Sequence, residues 1–179
     1  MNNDVKQGMA WQSAYYDKFA EILRHNAQSL ITVRVATPDE DMKQATDFVL
    51  EIGGGGKVAT RVRRDGKFFG DITLRSYSRG WRTELAKLRD ADEGVARYYL
   101  YCWTDDSGQI DRWLLWDIDK MRQAGLLNKD WPERANYDGQ TKFVMIPIAE
   151  LQASGCVIDT QLPSPRPIRV NGQTVFVLF

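Results

Sequence analysis

Histidine is almost absent from this sequence, which contains only His25. A metal centre built on several histidines is therefore excluded, and a catalytic triad is disfavoured because its general base is a histidine. Cysteine is scarce as well. Cys102 and Cys156 stand far apart and lack the paired spacing of a structural zinc site, so they favour a reducing cytoplasm over a disulfide-stabilised exterior.

Long apolar runs and a net charge are also missing. No run approaches the roughly 20 apolar residues of a membrane-spanning helix, and the first residues, MNNDVKQ, lack the apolar core of a signal peptide. We therefore expect a cytoplasmic protein with no membrane partner.

The 24 basic and 24 acidic residues balance, which argues against a protein that coats nucleic acid by bulk charge and against an acidic DNA mimic. A local basic patch is compatible with this balance.

The composition predicts one globular domain over residues 1–179, because 43% of the residues are hydrophobic and the chain is long enough to bury a core. We divide it into a core over 9–124 and a C-terminal extension over 125–179. The extension is expected to contain a strand, a proline-rich connector and a β-hairpin with a turn at Asn171-Gly172. The last strand is apolar enough to need cover from this domain or from a second copy, as in a homodimer.

Hydrophobic periodicity predicts a mixed fold of the α/β (α+β) class, with a mostly antiparallel central sheet flanked by helices. The clearest signals are an amphipathic helix over 9–26, a helix capped by Thr83, and an aromatic hairpin over 97–103 and 110–118. Weaker signals are a strand over 30–35, a short helix from Thr37 to about residue 45, a helix over 119–124, a strand over 142–148 and a helical turn over 149–153.

Residues 47–75 read as three short strands joined by turns at Gly53–Gly56 and Asp65-Gly66. The glycine run lacks the Ser or Thr after the lysine of a phosphate-binding loop, so a hairpin turn is the better interpretation. If the strands are antiparallel neighbours, one polar surface gathers acids and guanidinium groups: Asp47, Glu51, Arg61, Arg63, Asp71 and Arg75.

Two interpretations of this surface stay open. It is either the solvated face of an open sheet, where opposite charges on neighbouring strands add modest stability, or a site that handles a phosphodiester. In the second case carboxylates hold a metal ion and guanidinium groups contact phosphate oxygens. The loop that follows carries Arg79, Trp81 and Arg82, a combination that suits a nucleic-acid backbone and a stacked base.

The order of helix, three strands, helix and strand, with Asp47 opening one strand, resembles the core of the PD-(D/E)XK nuclease superfamily over about residues 11–124. The wider pattern is also similar to small proteins of phages and mobile elements that are often labelled nuclease-like. The resemblance implies a restriction-endonuclease-like core in which two acids hold magnesium and a lysine positions the attacking water. The acid-x-lysine element falls on Arg61-Val62-Arg63, so arginines replace both the acid and the lysine.

This departure matters because an arginine neither binds a cation nor acts as a base near neutral pH. If the site is active, Asp47 and Asp71 are the expected ligands of Mg²⁺. Further catalytic candidates are Glu51, Glu84 and Lys87. The residues expected to contact DNA or RNA are Arg61, Arg63, Arg75, Arg79 and Arg82.

The alternative is a catalytically inactive protein on a nuclease-like scaffold, of phage or mobile-element origin, that binds and inhibits a host protein. The incomplete motif and the neutral net charge favour it. So do the aromatic residues Trp81 and Trp131 and the C-terminal strand, which we expect to offer apolar surface to a protein partner.

Overall fold

The computed structural model describes residues 13–26, 30–37, 48–52, 56–63, 68–90, 95–137, 139–163, 166–170 and 173–177. Within these ranges the helices are α1 (Tyr16–Asn26), α2 (Glu84–Arg89), α3 (Ile118–Gln123) and α4 (Ile148–Ala153). The first six strands are β1 (Leu30–Val35), β2 (Phe48–Ile52), β3 (Gly56–Arg63), β4 (Asp71–Ser78), β5 (Tyr98–Thr104) and β6 (Ile110–Asp117). The other strands are β7 (Glu133–Ala135), β8 (Thr141–Pro147), β9 (Val157–Gln161), β10 (Arg166–Val170) and β11 (Gln173–Val177).

The strands form two sheets and a separate hairpin. The first sheet has the order β1-β2-β3-β5-β6-β9 and is antiparallel except where β3 runs parallel to β5. The second sheet has the order β4-β8-β7 and is antiparallel throughout. Strands β10 and β11 pair antiparallel. The predicted α+β class is therefore confirmed, as are the C-terminal hairpin and the aromatic hairpin, now β5 and β6.

The first sheet is covered on both faces, because its central strand β5 is buried along almost its whole length. Helix α1 covers one face, where its buried side chains Phe19, Ile22 and Leu23 pack against Leu100 and Cys102. A larger cluster occupies the other face and joins the tyrosines and tryptophans of β5 and β6 to the second sheet and to α2, α3 and α4. Strands buried on both faces belong at the centre of a sheet.

The expectation that residues 47–75 form three antiparallel neighbours is wrong for the third strand. Strands β2 and β3 pair as predicted, but β4 lies in the second sheet beside β8, and β3 pairs with β5 instead. The physical reason is burial. Strand β3 buries Val58 and Thr60 on one face and Ala59 on the other, so it occupies an interior position beside β5, and the chain leaves the sheet before β4. Gly70, at a φ of 72°, lies at this departure in a conformation that favours glycine.

Local predictions elsewhere are largely confirmed. Helix α1 is amphipathic as predicted and buries Phe19, Ile22 and Leu23. Helix α2 begins at the predicted cap, since Thr83 Oγ1 accepts a hydrogen bond from the backbone N–H of Ala86 at 3.2 Å. Strand β9 was not predicted. The expected helix up to residue 45 and the turns at 53–55, 65–66 and 171–172 lie outside the described residues. None of the described helices has both the length and the apolar character that crossing a bilayer requires.

Candidate functional site

A cleft of about 790 Å³ opens between the two sheets. It is lined from the first sheet by the ends of β3 and β5 and the turn that follows β5, and from the second sheet by β4 and β8. Four of its side chains are cationic and come from both sheets: Arg61, Arg63, Arg75 and Lys142. Aromatic and hydroxyl groups also line it: Tyr15, Phe69, Thr73, Tyr101, Thr104, Thr141 and Phe143.

Arg61 is held by the carboxylate of Glu84. Its Nη1 lies 2.8 Å from Glu84 Oε2 and also donates to the backbone carbonyl of Thr73 at 3.3 Å. Burial opposes the charge of Arg61, but Glu84 and the hydroxyls of Tyr101 and Tyr99 outweigh that cost and raise the pKa of the guanidinium above its ordinary value. Arg61 is therefore permanently charged, with its counter-ion supplied by the protein.

Glu84 is the first residue of α2, and its carboxylate is shared among three donors. Besides Arg61, it accepts from the hydroxyl of Tyr99 and, at 2.9 Å, from the backbone N–H of Arg75. Next to this network the hydroxyls of Thr73 and Tyr101 form a buried hydrogen bond of 2.9 Å across the two sheets. The floor of the cleft is thus a connected polar network whose donors and acceptors satisfy one another.

Arg63 pairs with Asp71 at 2.6 Å, and both side chains are about one-fifth exposed or less, at 21% and 17%. The guanidinium also lies over the ring of Phe69, 5.2 Å from its centroid. Asp71 and Glu84, two of the proposed catalytic acids, therefore each hold an arginine beside the cleft. The structure brings Arg61, Arg63, Asp71 and Glu84 together as two ion pairs.

The remaining two cations of the cleft are more accessible. Arg75 is exposed, and no carboxylate in the described part of the chain lies within ion-pair distance of its guanidinium. Lys142 is about half exposed and pairs with Glu133 at 3.1 Å. A hydrogen bond from Ser76 and the nearby Lys142 lower the pKa of Glu133, so this carboxylate stays ionised. An exposed pair of this kind is weak, and a phosphate can compete for the lysine.

The turn between β5 and β6 places two acids, Asp105 and Asp106, in the lining of the same cleft. The Asp105 side chain stabilises the turn. Its Oδ1 accepts hydrogen bonds from the backbone N–H groups of Ser107 and Gln109, each at 2.9 Å, and from the Ser107 hydroxyl. These hydrogen bonds, the Ser107 hydroxyl first, lower the pKa of Asp105. The cleft therefore has one acidic segment and a larger cationic remainder.

Several predicted site residues fall elsewhere. Arg82 forms an ion pair with Asp90, and neither Arg82 nor Arg79 contributes to the lining of the cleft. Lys87 lies in α2 and likewise does not line it. Glu51 lies in β2, where only its backbone pairing with Thr32 is described. Asp47 lies outside the described residues, so its proposed metal-binding role stays a prediction.

Metal binding is not supported by the groups that are described. Within the described ranges, no three His, Cys, Asp or Glu side chains lie close enough to share a metal ion. The magnesium site proposed at Asp47 and Asp71 stays a prediction that rests on Asp47, while Asp71 holds Arg63.

Of the two aromatic residues expected at the surface, Trp81 is 70% exposed as predicted. The expectation for Trp131 is wrong, because its indole N–H donates to the carbonyl of Leu126 and its ring is buried.

Sequence reasoning missed the contributions of Phe69, Tyr101, Lys142 and Phe143. Lys142 and Phe143 face the cleft because β8 pairs with β4, bringing Phe143 opposite Arg75. That pairing joins segments about 70 residues apart, and no turn between them marks it in the sequence. The only sequence feature that marks these positions is a lysine followed directly by a phenylalanine, Lys142-Phe143. Such a pair is common in strands and does not by itself indicate a binding site.

No protein-family model matches this chain, and no curated protein is detectably similar to it.

Proposed function

We propose that this protein binds nucleic acid in the cleft between its two sheets, with Arg75 and Lys142 contacting phosphate oxygens. The observation that supports this proposal is the presence of four cationic side chains from both sheets in one concave, aromatic-lined space. Grooves that hold nucleic acid combine these two features, since cations follow the backbone and aromatic rings receive bases. The zero net charge of the chain limits the interaction to this local site.

The four cations divide into two roles. Arg61 and Arg63 are neutralised by Glu84 and Asp71 and form the floor and one wall of the cleft. Arg75 and Lys142 are the more exposed and offer donors to a ligand. An anion that approaches Arg75 meets no competing carboxylate among the described residues, whereas one that approaches Arg61 has to displace Glu84 from a charge-assisted hydrogen bond.

Hydrolysis is a separate proposal, which the resemblance to nucleases motivates. It requires Mg²⁺ and a carboxylate that no arginine occupies, and Asp47 and Glu51 are the predicted residues for that role. Cleavage of labelled DNA or RNA that depends on Mg²⁺ and disappears in Asp47→Asn would establish it. Binding with intact substrate would instead indicate a protein that grips nucleic acid without cutting it.

A protein partner is the second candidate function, and the observation that favours it is Trp81, which is 70% exposed and lies outside the cleft. Exposed tryptophan is characteristic of residues that dominate protein interfaces. Both candidates assign the protein to the cytoplasm, which the free thiols of Cys102 and Cys156 support.

The proposal is tested with matched lysine variants. Lys142 and Lys129 are each 49% exposed, and each pairs with a glutamate, but only Lys142 lines the cleft. We expect Lys142→Ala to weaken nucleic-acid binding by about 10- to 150-fold, the cost of one hydrogen bond to a charged group, and Lys129→Ala to leave it unchanged. Fluorescence anisotropy with labelled oligonucleotides measures both. Equal effects of the two variants, or no binding by the unmodified protein, would contradict the proposal.

A further inference from the structure

We infer that the ligand of the cleft is single-stranded nucleic acid and that one of its bases stacks on Phe69. This inference rests on the proposed function and narrows its substrate class. It starts from a side chain that the fold itself does not explain: Phe69 is 62% exposed although it is large and apolar and lines a concave site. Its neighbour Phe68, in contrast, is buried.

The ring of Phe69 contacts a cation, and both of its neighbours in the chain are anchored to the rest of the fold. The guanidinium of Arg63 lies 5.2 Å from its centroid and is itself fixed by Asp71 at 2.6 Å. On the chain before it, Phe68 packs edge-on against Trp103, with 5.1 Å between the ring centroids. On the chain after it, the carbonyl of Gly70 accepts a hydrogen bond of 2.9 Å from the backbone N–H of Ile148. The ring is thus presented to the cleft by a backbone anchored on both sides.

This arrangement suits base stacking. The guanidinium of Arg63 restrains the ring by a cation–π contact, and the 62% exposure of Phe69 leaves ring surface for a second planar group. A phenylalanine has few rotatable bonds and Arg63 restrains this one further, so a ligand that stacks on it loses little binding energy to ordering of the side chain. Base stacking on such a ring tolerates any sequence, since every base has an aromatic face.

The same features disfavour a duplex. The bases of a duplex are stacked on one another, so a base reaches Phe69 only after it leaves the helix. A volume of about 790 Å³ falls within the range of pockets that enclose a small ligand. It therefore suits a short piece of one strand.

The test compares binding of one strand and of the matching duplex, using labelled oligonucleotides of about 12 nucleotides as DNA and as RNA. We expect the single strands to bind more tightly than the duplex. Phe69→Ala should weaken single-strand binding by about 5- to 150-fold, the range observed for loss of one stacked base. Phe69→Trp should retain it, because it keeps an aromatic face. Ile158→Ala is the control, since Ile158 is also a large, exposed apolar side chain, at 44%, but does not line the cleft.

The outcomes separate this inference from the function on which it rests. Equal binding of strand and duplex, with Phe69→Ala unaffected and Lys142→Ala weakened, would overturn the single-strand inference and leave the cleft as a nucleic-acid site. Absence of binding to every oligonucleotide would overturn the proposed function together with this inference. Thermal unfolding of the Phe69 variants shows whether they are folded, which the exposure of this side chain leads us to expect.

Discussion

At the scale of single residues, the carboxylate of Glu84 joins three parts of the molecule. It accepts from Arg61 in β3, from Tyr99 in β5 and from the backbone N–H of Arg75 in β4. The first sheet, the second sheet and α2 therefore meet at one charged group. Because Arg61 and Glu84 are only 30% and 19% exposed, water replaces a lost partner poorly.

We expect Glu84→Gln to lower the free energy of unfolding by about 2 kcal/mol, since the amide keeps an acceptor but leaves the Arg61 charge without a counter-ion. For a chain of this size, that corresponds to a decrease of about 4–8 °C in Tm. Glu21→Gln is the control, because Glu21 also pairs with a cation, Lys18, but is 69% exposed. Glu21→Gln should lower the free energy of unfolding by less than about 0.5 kcal/mol. Urea and thermal unfolding measure both, and similar losses for the two variants would show that Glu84 is an ordinary surface acid.

At the scale of secondary-structure elements, the short helix α2 controls the position of Glu84. It spans only Glu84–Arg89, and its N-terminus is capped by the Thr83 side chain. Leu85 and Leu88 are buried in the larger core cluster. A helix this short is not stable by itself, so the cap and these two contacts together fix the first residue and its carboxylate.

Thr83→Ala should lower the free energy of unfolding by about 1 kcal/mol, because one N-terminal N–H group of α2 loses its acceptor. The expected decrease in Tm is about 2–4 °C. Thr83→Ser keeps the hydroxyl and should retain most of the stability. If Tm decreases as much in the serine variant as in the alanine variant, the methyl group of Thr83, and not its capping hydroxyl, stabilises the protein.

Structural features that depend on one or two neighbouring elements can be predicted from the sequence. The Thr83 cap, the burial stripe of α1 and the alternation of Tyr98, Leu100 and Cys102 in β5 each depend on residues a few positions apart. The placement of β4 was not predictable in this way. Asp65-Gly66 suggested a hairpin, but pairing was decided by which strands bury both faces, and β5 displaced β4 as the neighbour of β3.

At the scale of the whole molecule, the cleft is assembled from both sheets, since β3 and β5 of the first sheet and β4 and β8 of the second contribute to its lining. The sequence indicated the arginines and Asp71 but not which acid holds which arginine, since Arg61 meets Glu84 and Arg63 meets Asp71 only after β3 and β4 enter different sheets. Lys142 arrives from a strand far along the chain. A site assembled from distant segments is therefore visible in the fold, while its parts look like ordinary strand residues in the sequence.

The central claim is that phosphates contact Arg75 and Lys142, and the salt dependence of binding tests it most directly. For single strands, each phosphate contact contributes about 0.7 to the slope of log K against log salt concentration. We predict that the double variant Arg75→Ala, Lys142→Ala has a slope shallower by about 1.4 than the unmodified protein, while Lys129→Ala keeps the original slope. An unchanged slope in the double variant would mean that these two side chains do not contact phosphate, and would contradict the account.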